Sequence, residues 1–385
     1  MGGTAQMKIT ISKQELHEAL QHVSKAISGR ATVPILTGVK LDVFRTEGVK
    51  LTASDIDTTI RAEIPAEDGA VTVHEAGSVV LPAKFFVEII KKLPKETVDI
   101  EVQPGFATLI TSGKTKLNLV GMDPEEFPAT PIGDEDPTLS LQGDELKELI
   151  RSTTFAVSTN ETSPILTGVL WELSDGRLQL TATDRHRLAR VAVDGATDQE
   201  ISFHNVVITA RTLNDLAKII SDDKEVQISV GTSQVLFRAG RVNFFSRVLD
   251  GNYPDTSKII PTTFQSELEV SAKAFADSID RAHLLAREVK TNIVRLEVDA
   301  EGAVRIESTS DGVGKVVEQI DADKFTGDPI RIAFNSKYML DALKATDSDH
   351  LHIGFTGPMS PIIIRPQGGG SIDKLNLILP YRTGV

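Results

Sequence analysis

The sequence predicts an α+β fold in which one domain of about 125 residues occurs three times, each copy carrying two helices packed on antiparallel sheets. Three recurring patterns predict it. A strand running into a helix returns at offsets of 130 and 129 residues. A hairpin unit opening on Pro-Ile-Leu-Thr-Gly follows it. A second strand-to-helix unit then recurs at offsets of 127 and 125 residues. Three units in constant order at nearly constant spacing mark an internal repeat.

The first unit begins at Ile9-Thr-Ile-Ser-Lys-Gln-Glu-Leu16, Leu139-Ser-Leu-Gln-Gly-Asp-Glu-Leu146 and Leu268-Glu-Val-Ser-Ala-Lys-Ala-Phe275. Each changes from a period of 2 to one of 3.6, the mark of a short strand feeding a helix. The first helix is expected to continue to about Ile27. The second unit runs from Pro34–Gly38 through a turn at Glu47-Gly48 to Leu51–Asp55. Its next copy runs from Pro164–Gly168 through Trp171 and a turn at Asp175-Gly176 to Leu180–Asp184. The third copy has drifted to Asn292–Leu296, a turn at Glu301-Gly302 and Ile306–Ser310. The third unit starts at Val80, Val207 and Ile332. Turn formers and charges cluster at 123–137, rich in Pro, Gly, Asp and Glu, and again at 255–265. The expected domains are therefore 7–128, 136–258 and 262–385. Residues 1–6 read as a leader before a natural start at Met7.

Composition narrows the chemistry. No apolar run approaches the roughly 18 residues of a membrane span. The start of the chain lacks the pattern of a secretory signal. With no cysteine, disulfides, thiolate metal sites and cysteine nucleophiles are excluded, which fits a reducing cytoplasm. No cofactor or metal is expected.

Net charge is −13, which taken alone argues against a nucleic-acid partner. Distribution matters more than total. Expected helix windows 12–30, 83–95, 143–157, 210–220, 272–290 and 335–344 together carry +6, leaving −19 elsewhere. If these helices share a surface, it would attract phosphates weakly without reading bases. Its candidate members are Lys13, Lys25, Arg30, Lys84, Lys91, Lys92, Lys95, Lys147, Arg151, Arg211, Lys218, Arg281, Arg287, Lys290, Lys337 and Lys344. Any one of them reads equally well as a solvated helix face.

Signals for catalysis are weak. Ser112-Gly-Lys-Thr115 resembles the end of a phosphate loop, but Thr108 stands where the motif needs glycine. The flanks read as strands, so Gly113-Lys114 is expected to be a hairpin turn. Gly368–Gly370 reads as a turn between the last strands. Asp184 and His186 would share a face if both lay on one strand, with no hydroxyl nucleophile implied. No His-Glu-x-x-His spacing exists.

Several longer stretches carry a resemblance. Pro164–Gly168, Thr181-Ala-Thr-Asp-Arg-His-Arg-Leu188, Phe244-Phe-Ser-Arg-Val-Leu-Asp-Gly-Asn-Tyr-Pro-Asp255, Lys337-Tyr-Met-Leu-Asp-Ala-Leu343 and Leu379-Pro-Tyr-Arg382 resemble the bacterial DNA polymerase III beta subunit family, the sliding clamps. The likeness runs from Met7 through nearly the whole chain and includes clamps of the Bacillus type. It implies the DNA clamp fold and a head-to-tail homodimeric ring, with helices lining the hole and sheets outside. It implies a non-catalytic processivity factor, an accessory subunit of a DNA-directed DNA polymerase. The implied partners are a second copy of the chain, double-stranded DNA of any sequence, the replicative polymerase, an ATP-dependent clamp loader, and repair and translesion polymerases carrying a short binding motif.

The same resemblance carries a partner-peptide cleft over to Leu166, Thr183, Arg185, His186, Arg187, Leu188, Pro254, Ile259, Leu379, Pro380, Tyr381 and Arg382. Leu166, Leu188, Ile259 and Leu379 suit an apolar floor, Pro254 and Pro380 stiff edges, and His186, Arg187 and Arg382 donors at the rim. Thr256 stands where many clamps have an aromatic gate, and Arg185 where some have a small residue. The ring interface carries over to Leu117 and Leu119 against Leu284 and Leu285. The competing readings are a peptide-binding scaffold that encircles nothing, and a hydrolase using Asp184 and His186.

Overall fold

The computed structural model describes residues 7–27, 33–55, 57–129, 136–197, 200–288, 290–310 and 312–382. The expected leader, 1–6, and the candidate phosphate-facing Arg30 lie outside them.

Six α-helices occur among the described residues, two in each expected repeat: α1 (Lys13–Val23), α2 (Ala83–Lys92), α3 (Gly143–Thr154), α4 (Ala210–Ala217), α5 (Ala272–Glu288) and α6 (Ser336–Thr346). Local chemistry sets their ends. Ser12 caps α1 by accepting from the Glu15 N–H, in a Ser-x-x-Glu capping sequence. Asn335 caps α6 by accepting from the N–H groups of Lys337 and Tyr338. α1 is shorter than its apolar period suggests. It ends at Val23 and passes into a 3-10 turn, Ser24–Ala26. There the Ser24 hydroxyl donates back to the Leu20 carbonyl, which competes with continuation of the helix.

The chain forms two compact units, and the division falls inside the middle repeat. One unit runs through Asp144 and takes in Asp215–Val248; the other holds Glu145–Asn214 and everything from Leu249. Pairing between half-sheets explains the division. In the first unit the middle repeat's Val242–Arg247 strand pairs antiparallel with the first repeat's Thr58–Ile64, Phe244 facing Ile60. That junction completes an eight-stranded sheet. In the second unit the middle repeat's Arg187–Val193 strand pairs antiparallel with the last repeat's Ile372–Ile378, Arg190 facing Leu375. That junction completes a nine-stranded sheet.

Each unit also holds one smaller sheet that, among the described residues, ends on an unpaired edge. In the first unit, five strands end on Thr115–Val120. In the second, four strands end on Gly314–Asp321. All pairings are antiparallel, and strands facing helices bury alternate residues, as Thr58, Ile60, Ala62 and Ile64 do. In the second unit, Phe275, Ile279 and Ala282 of α5 pack with Met339 and Leu343 of α6 over Leu268, Val270, Ile353 and Ile364.

The Gly113-Lys114 turn joins Ala107–Ser112 to Thr115–Val120. Gly113 has φ of 60°, the left-handed geometry that the first central position of a type II′ hairpin requires. Gly368–Gly370 lies in the connection between Ile362–Pro366 and Ile372–Ile378. No helix among the described residues is long and apolar enough to cross a membrane.

Candidate functional site

Four segments of the second unit meet where the middle and last repeats join. The first is the tip of the hairpin formed by Arg177–Thr183 and Arg187–Val193. The second is the end of the last strand, set beside that tip because Arg187 faces Ile378 and the Leu379 N–H donates to the His186 carbonyl at 2.9 Å. The Tyr381 N–H then reaches the Ala333 carbonyl at 2.7 Å. The third is the 249–260 connection. The Thr183 N–H donates to the Tyr253 hydroxyl at 3.0 Å, and Arg190 Nη2 donates to the Thr256 hydroxyl at 3.1 Å. The fourth is the 3-10 turn Pro164–Thr167, whose Leu166 packs with Leu170, Val207 and Tyr253.

These contacts hold the connection firmly. Burial pushes the Tyr253 phenol up, so it stays neutral; the hydrogen bond from Thr183 opposes this in part. Burial also pulls the Arg190 guanidinium down from its ordinary value, against the attraction of Glu172. Asn205 fixes the start of the segment by accepting from the Tyr253 N–H and donating to the Gly251 carbonyl. Thr256 is buried, with its hydroxyl turned to Arg190 rather than outward as a gate would be.

The expected apolar floor divides. Leu166 and Leu188 are each closed, in two separate clusters; Leu188 packs with Ile363, Leu375, Leu377 and Ile260. The accessible apolar surface belongs to Ile259, Leu379 and Tyr381, which are 46%, 38% and 51% exposed. Pro254 is exposed and Pro380 half-buried.

The expected rim donors also differ from one another. Arg187 is not a free donor. Its Nε meets Asp184 Oδ2 at 3.1 Å and its Nη1 meets Asp341 Oδ2 at 2.7 Å. Its guanidinium lies 4.4 Å from the Tyr338 ring centroid and 5.5 Å from that of Phe155. His186 stacks on Tyr338, their ring centroids 6.4 Å apart. Arg185, His186 and Arg382 are exposed. Tyr253, Asp341, Tyr338 and Arg190 were not singled out by sequence reasoning for this site. Tyr253 could have been, from the Asn-Tyr-Pro-Asp stretch that contains it.

Asp184 and His186 do not lie on one strand, the premise on which they would share a face. They occupy the turn between two strands. Asp184 Oδ1 accepts the N–H groups of His186 and Arg187, at 2.9 and 3.0 Å. The carboxylate serves the turn and Arg187. Among the described residues no group of three or more histidine or acidic side chains is placed to hold a metal ion.

The helix charge is weaker than the sequence windows suggest. With observed bounds α2 carries +2 and α6 +1, α1 and α3 −1 each, and α4 and α5 zero, a total of +1. Lys25, Lys84, Lys91, Lys95, Arg211, Lys337 and Lys344 are exposed, with no carboxylate paired to them among the described residues. Others are committed. Lys13 donates to the Leu93 carbonyl at the end of α2, and Lys92 lies 3.6 Å from Glu88. Arg151 pairs with Glu148 and Asp347, Lys218 with Asp215, Arg281 with Glu318 and Arg287 with Glu288. Lys147 is half-buried, and Lys290 adopts φ of 57° just past α5.

Of the expected interface residues, Leu117 and Leu119 are half-buried on one face of the free edge Thr115–Val120. Leu284 is 49% exposed on α5 and Leu285 half-buried. The second free edge, Gly314–Asp321, was not foreseen. It lies against α5, where Arg281 bonds Glu318 at 2.6 and 2.9 Å.

Comparison with known proteins matches residues 7–131, 140–255 and 257–382 to the N-terminal, central and C-terminal domains of the DNA polymerase III beta subunit. A beta sliding clamp of Bacillus subtilis is 48% identical over 383 residues, 98% of this chain and 100% of its own. One from Staphylococcus aureus is 44% identical over 383 residues, with the same coverage. Among solved structures, a DNA polymerase sliding clamp from Bacillus subtilis aligns with a TM-score of 0.95 at 46% identity, over 99% of this chain and 100% of that one. The beta subunit from DNA polymerase of Streptococcus pyogenes aligns at 0.91 and 31%, over 98% and 100%.

Proposed function

The chain belongs to the DNA polymerase III beta subunit family, the bacterial beta sliding clamps, and from that premise we propose that two copies close head to tail around duplex DNA and hold polymerases to it. Members of this family are processivity factors, accessory subunits that perform no chemistry themselves.

One observation carries the ring. Within each unit, a strand late in one repeat pairs with a strand early in the preceding repeat: Val242–Arg247 with Thr58–Ile64, and Ile372–Ile378 with Arg187–Val193. The equivalents left over are Thr115–Val120 of the first repeat and Gly314–Asp321 of the last, and both are free edges. A long free edge invites pairing with another chain. The two edges differ, so the contact is heterologous, and the family implies that its rotation closes into a ring rather than an open filament. Six repeats from two copies complete the circle the family implies.

Register can be transferred as well. Leu117 is equivalent to Phe244 and Val316 to Ile60, so Leu117 comes to face Val316 of the second copy. Leu119, Leu284 and Leu285 extend this contact. The chain has no cysteine, so a pair introduced as Leu117→Cys and Val316→Cys has a clean background. On oxidation it is expected to give a covalent dimer of twice the 41.7 kDa chain mass. A monomer in solution that forms no cross-link would remove the ring.

Within the ring, the exposed lysines of α2 and α6 with Lys25 and Arg211 are the cations that would meet phosphates. Their attraction is mild, which suits sliding, because strong local contacts would pin the protein. An acidic exterior would repel DNA elsewhere. The cleft around Ile259, Leu379 and Tyr381 is the docking place for short segments of the replicative polymerase, the ATP-dependent loader, and repair and translesion polymerases. Work on chromosomal DNA would place the protein in the cytoplasm, beside the nucleoid.

A further inference from the structure

We propose that Arg185 makes the partner cleft selective for segments that carry a carboxylate beside their apolar anchor. The inference rests on reading this place as a peptide cleft and adds a charge preference to it.

The backbone supplies the first reason. Arg185 has φ of 77°, in the left-handed region where glycine, asparagine and aspartate are at home. Its surroundings impose that geometry. The Arg185 N–H donates to the Thr183 hydroxyl at 3.1 Å, and Asp184 Oδ1 takes the next two N–H groups. A glycine would satisfy the same turn without steric opposition. An arginine here works against the local preference, and such an outlier at a binding site points to a role for its side chain.

The charge supplies the second reason. The neighbouring arginine on the hairpin, Arg187, is neutralised by Asp184 and Asp341. Arg185 has no carboxylate paired to it among the described residues. Among the described residues its side chain bonds a neutral partner, the Ser163 hydroxyl, at 3.2 Å from Nη2. Ser163 also holds the turn that carries Leu166, by accepting the Leu166 N–H at 3.0 Å. The guanidinium is therefore kept at the wall of the cleft, exposed, with most of its donors unused. Arg382, four residues past the last strand, is likewise exposed. An apolar site with uncompensated cations at its border is complementary to an apolar segment with acidic flanks.

The test uses the full chain and two fluorescein-labelled synthetic peptides. Both share one leucine- and phenylalanine-containing core, with aspartate flanks in one and asparagine flanks in the other. Fluorescence polarisation should favour the acidic peptide by about threefold at low salt, and less at high salt. In Arg185→Gly the ratio of the two affinities should approach one. Arg185→Lys should restore most of it. Glycine suits the turn, so a melting curve should find the glycine variant folded. Equal affinities in the parent, or a preference that survives Arg185→Gly, would overturn the inference and leave the cleft standing. Failure of both peptides to bind the parent would remove the cleft reading and this inference together.

Discussion

Removing the Arg187 guanidinium would take a partner from two carboxylates at once. Asp341, 36% exposed, would lose its 2.7 Å partner, and Asp184, 12% exposed, would keep only the two turn N–H groups on Oδ1; Arg187 itself is 11% exposed. The loss of its stacking on Tyr338 adds to the cost. Arg187→Ala is therefore expected to destabilise the fold by about 2–4 kcal/mol, read as a shift in the urea midpoint. Arg187→Lys should recover only part, since an ammonium cannot bond two carboxylates in a planar fork or stack as well. An unchanged midpoint in the alanine variant would return Arg187 to the role of a free rim donor. The sequence stretch around Arg187 marks the site but cannot reveal this commitment. Asp341 is 154 residues away, and only the pairing of two repeats brings it near.

At the scale of elements, α3 and α6 are tied by a small ionic cluster. Glu148 on α3 accepts from Lys374 and Arg151, Arg151 also reaches Asp347 at 2.8 Å, and Lys374 faces the last carbonyls of α6. Burial alone would raise the Glu148 carboxyl, but the hydrogen bonds from Lys374 and Arg151 outweigh it and hold the group below its ordinary value of 4.5. A depressed folded-state value contributes stability above about pH 4.5, and that contribution is lost as pH falls through the lower folded value. Glu148→Gln should cost about 1 kcal/mol at neutral pH and flatten the acid limb of a stability profile. A variant whose acid limb matches the parent's would show that Glu148 does not contribute.

Most helices and central strands were legible because their apolar periods are clean. The Gly314–Asp321 edge was not. Glu318 takes an inward position there, held by Arg281, while Val317 points outward, so the alternation is broken. The end of α1 was misjudged for a local reason, the Ser24 back-bond, which apolar period does not encode.

For the whole molecule, the repeat was the strongest signal in the sequence, and the shared pairing of half-sheets is its structural expression. What the sequence could not show is that the repeats exchange sheet halves, so that the compact units cut through the middle repeat. The helix total is smaller than the window total because Lys25, Lys95, Lys218 and Lys290 lie past the helix ends and Arg30 lies outside the described residues, while Arg151, Lys218 and Arg281 pair with carboxylates close by. A total of +1 over six helices, with a few exposed cations just past their ends, gives at most a mild attraction for phosphates. In the proposed ring, retention would come from topology, with charge easing passage.

That claim has a direct measurement. The protein, loaded on a nicked circular plasmid by its cognate loader and ATP, is isolated with the DNA, and the plasmid is then cut once with a restriction enzyme. Enclosure predicts that it stays with the circle through a salt wash and leaves once ends exist. Protein that remains on the cut plasmid, or washes off the intact circle, would mean that contact rather than encirclement holds it.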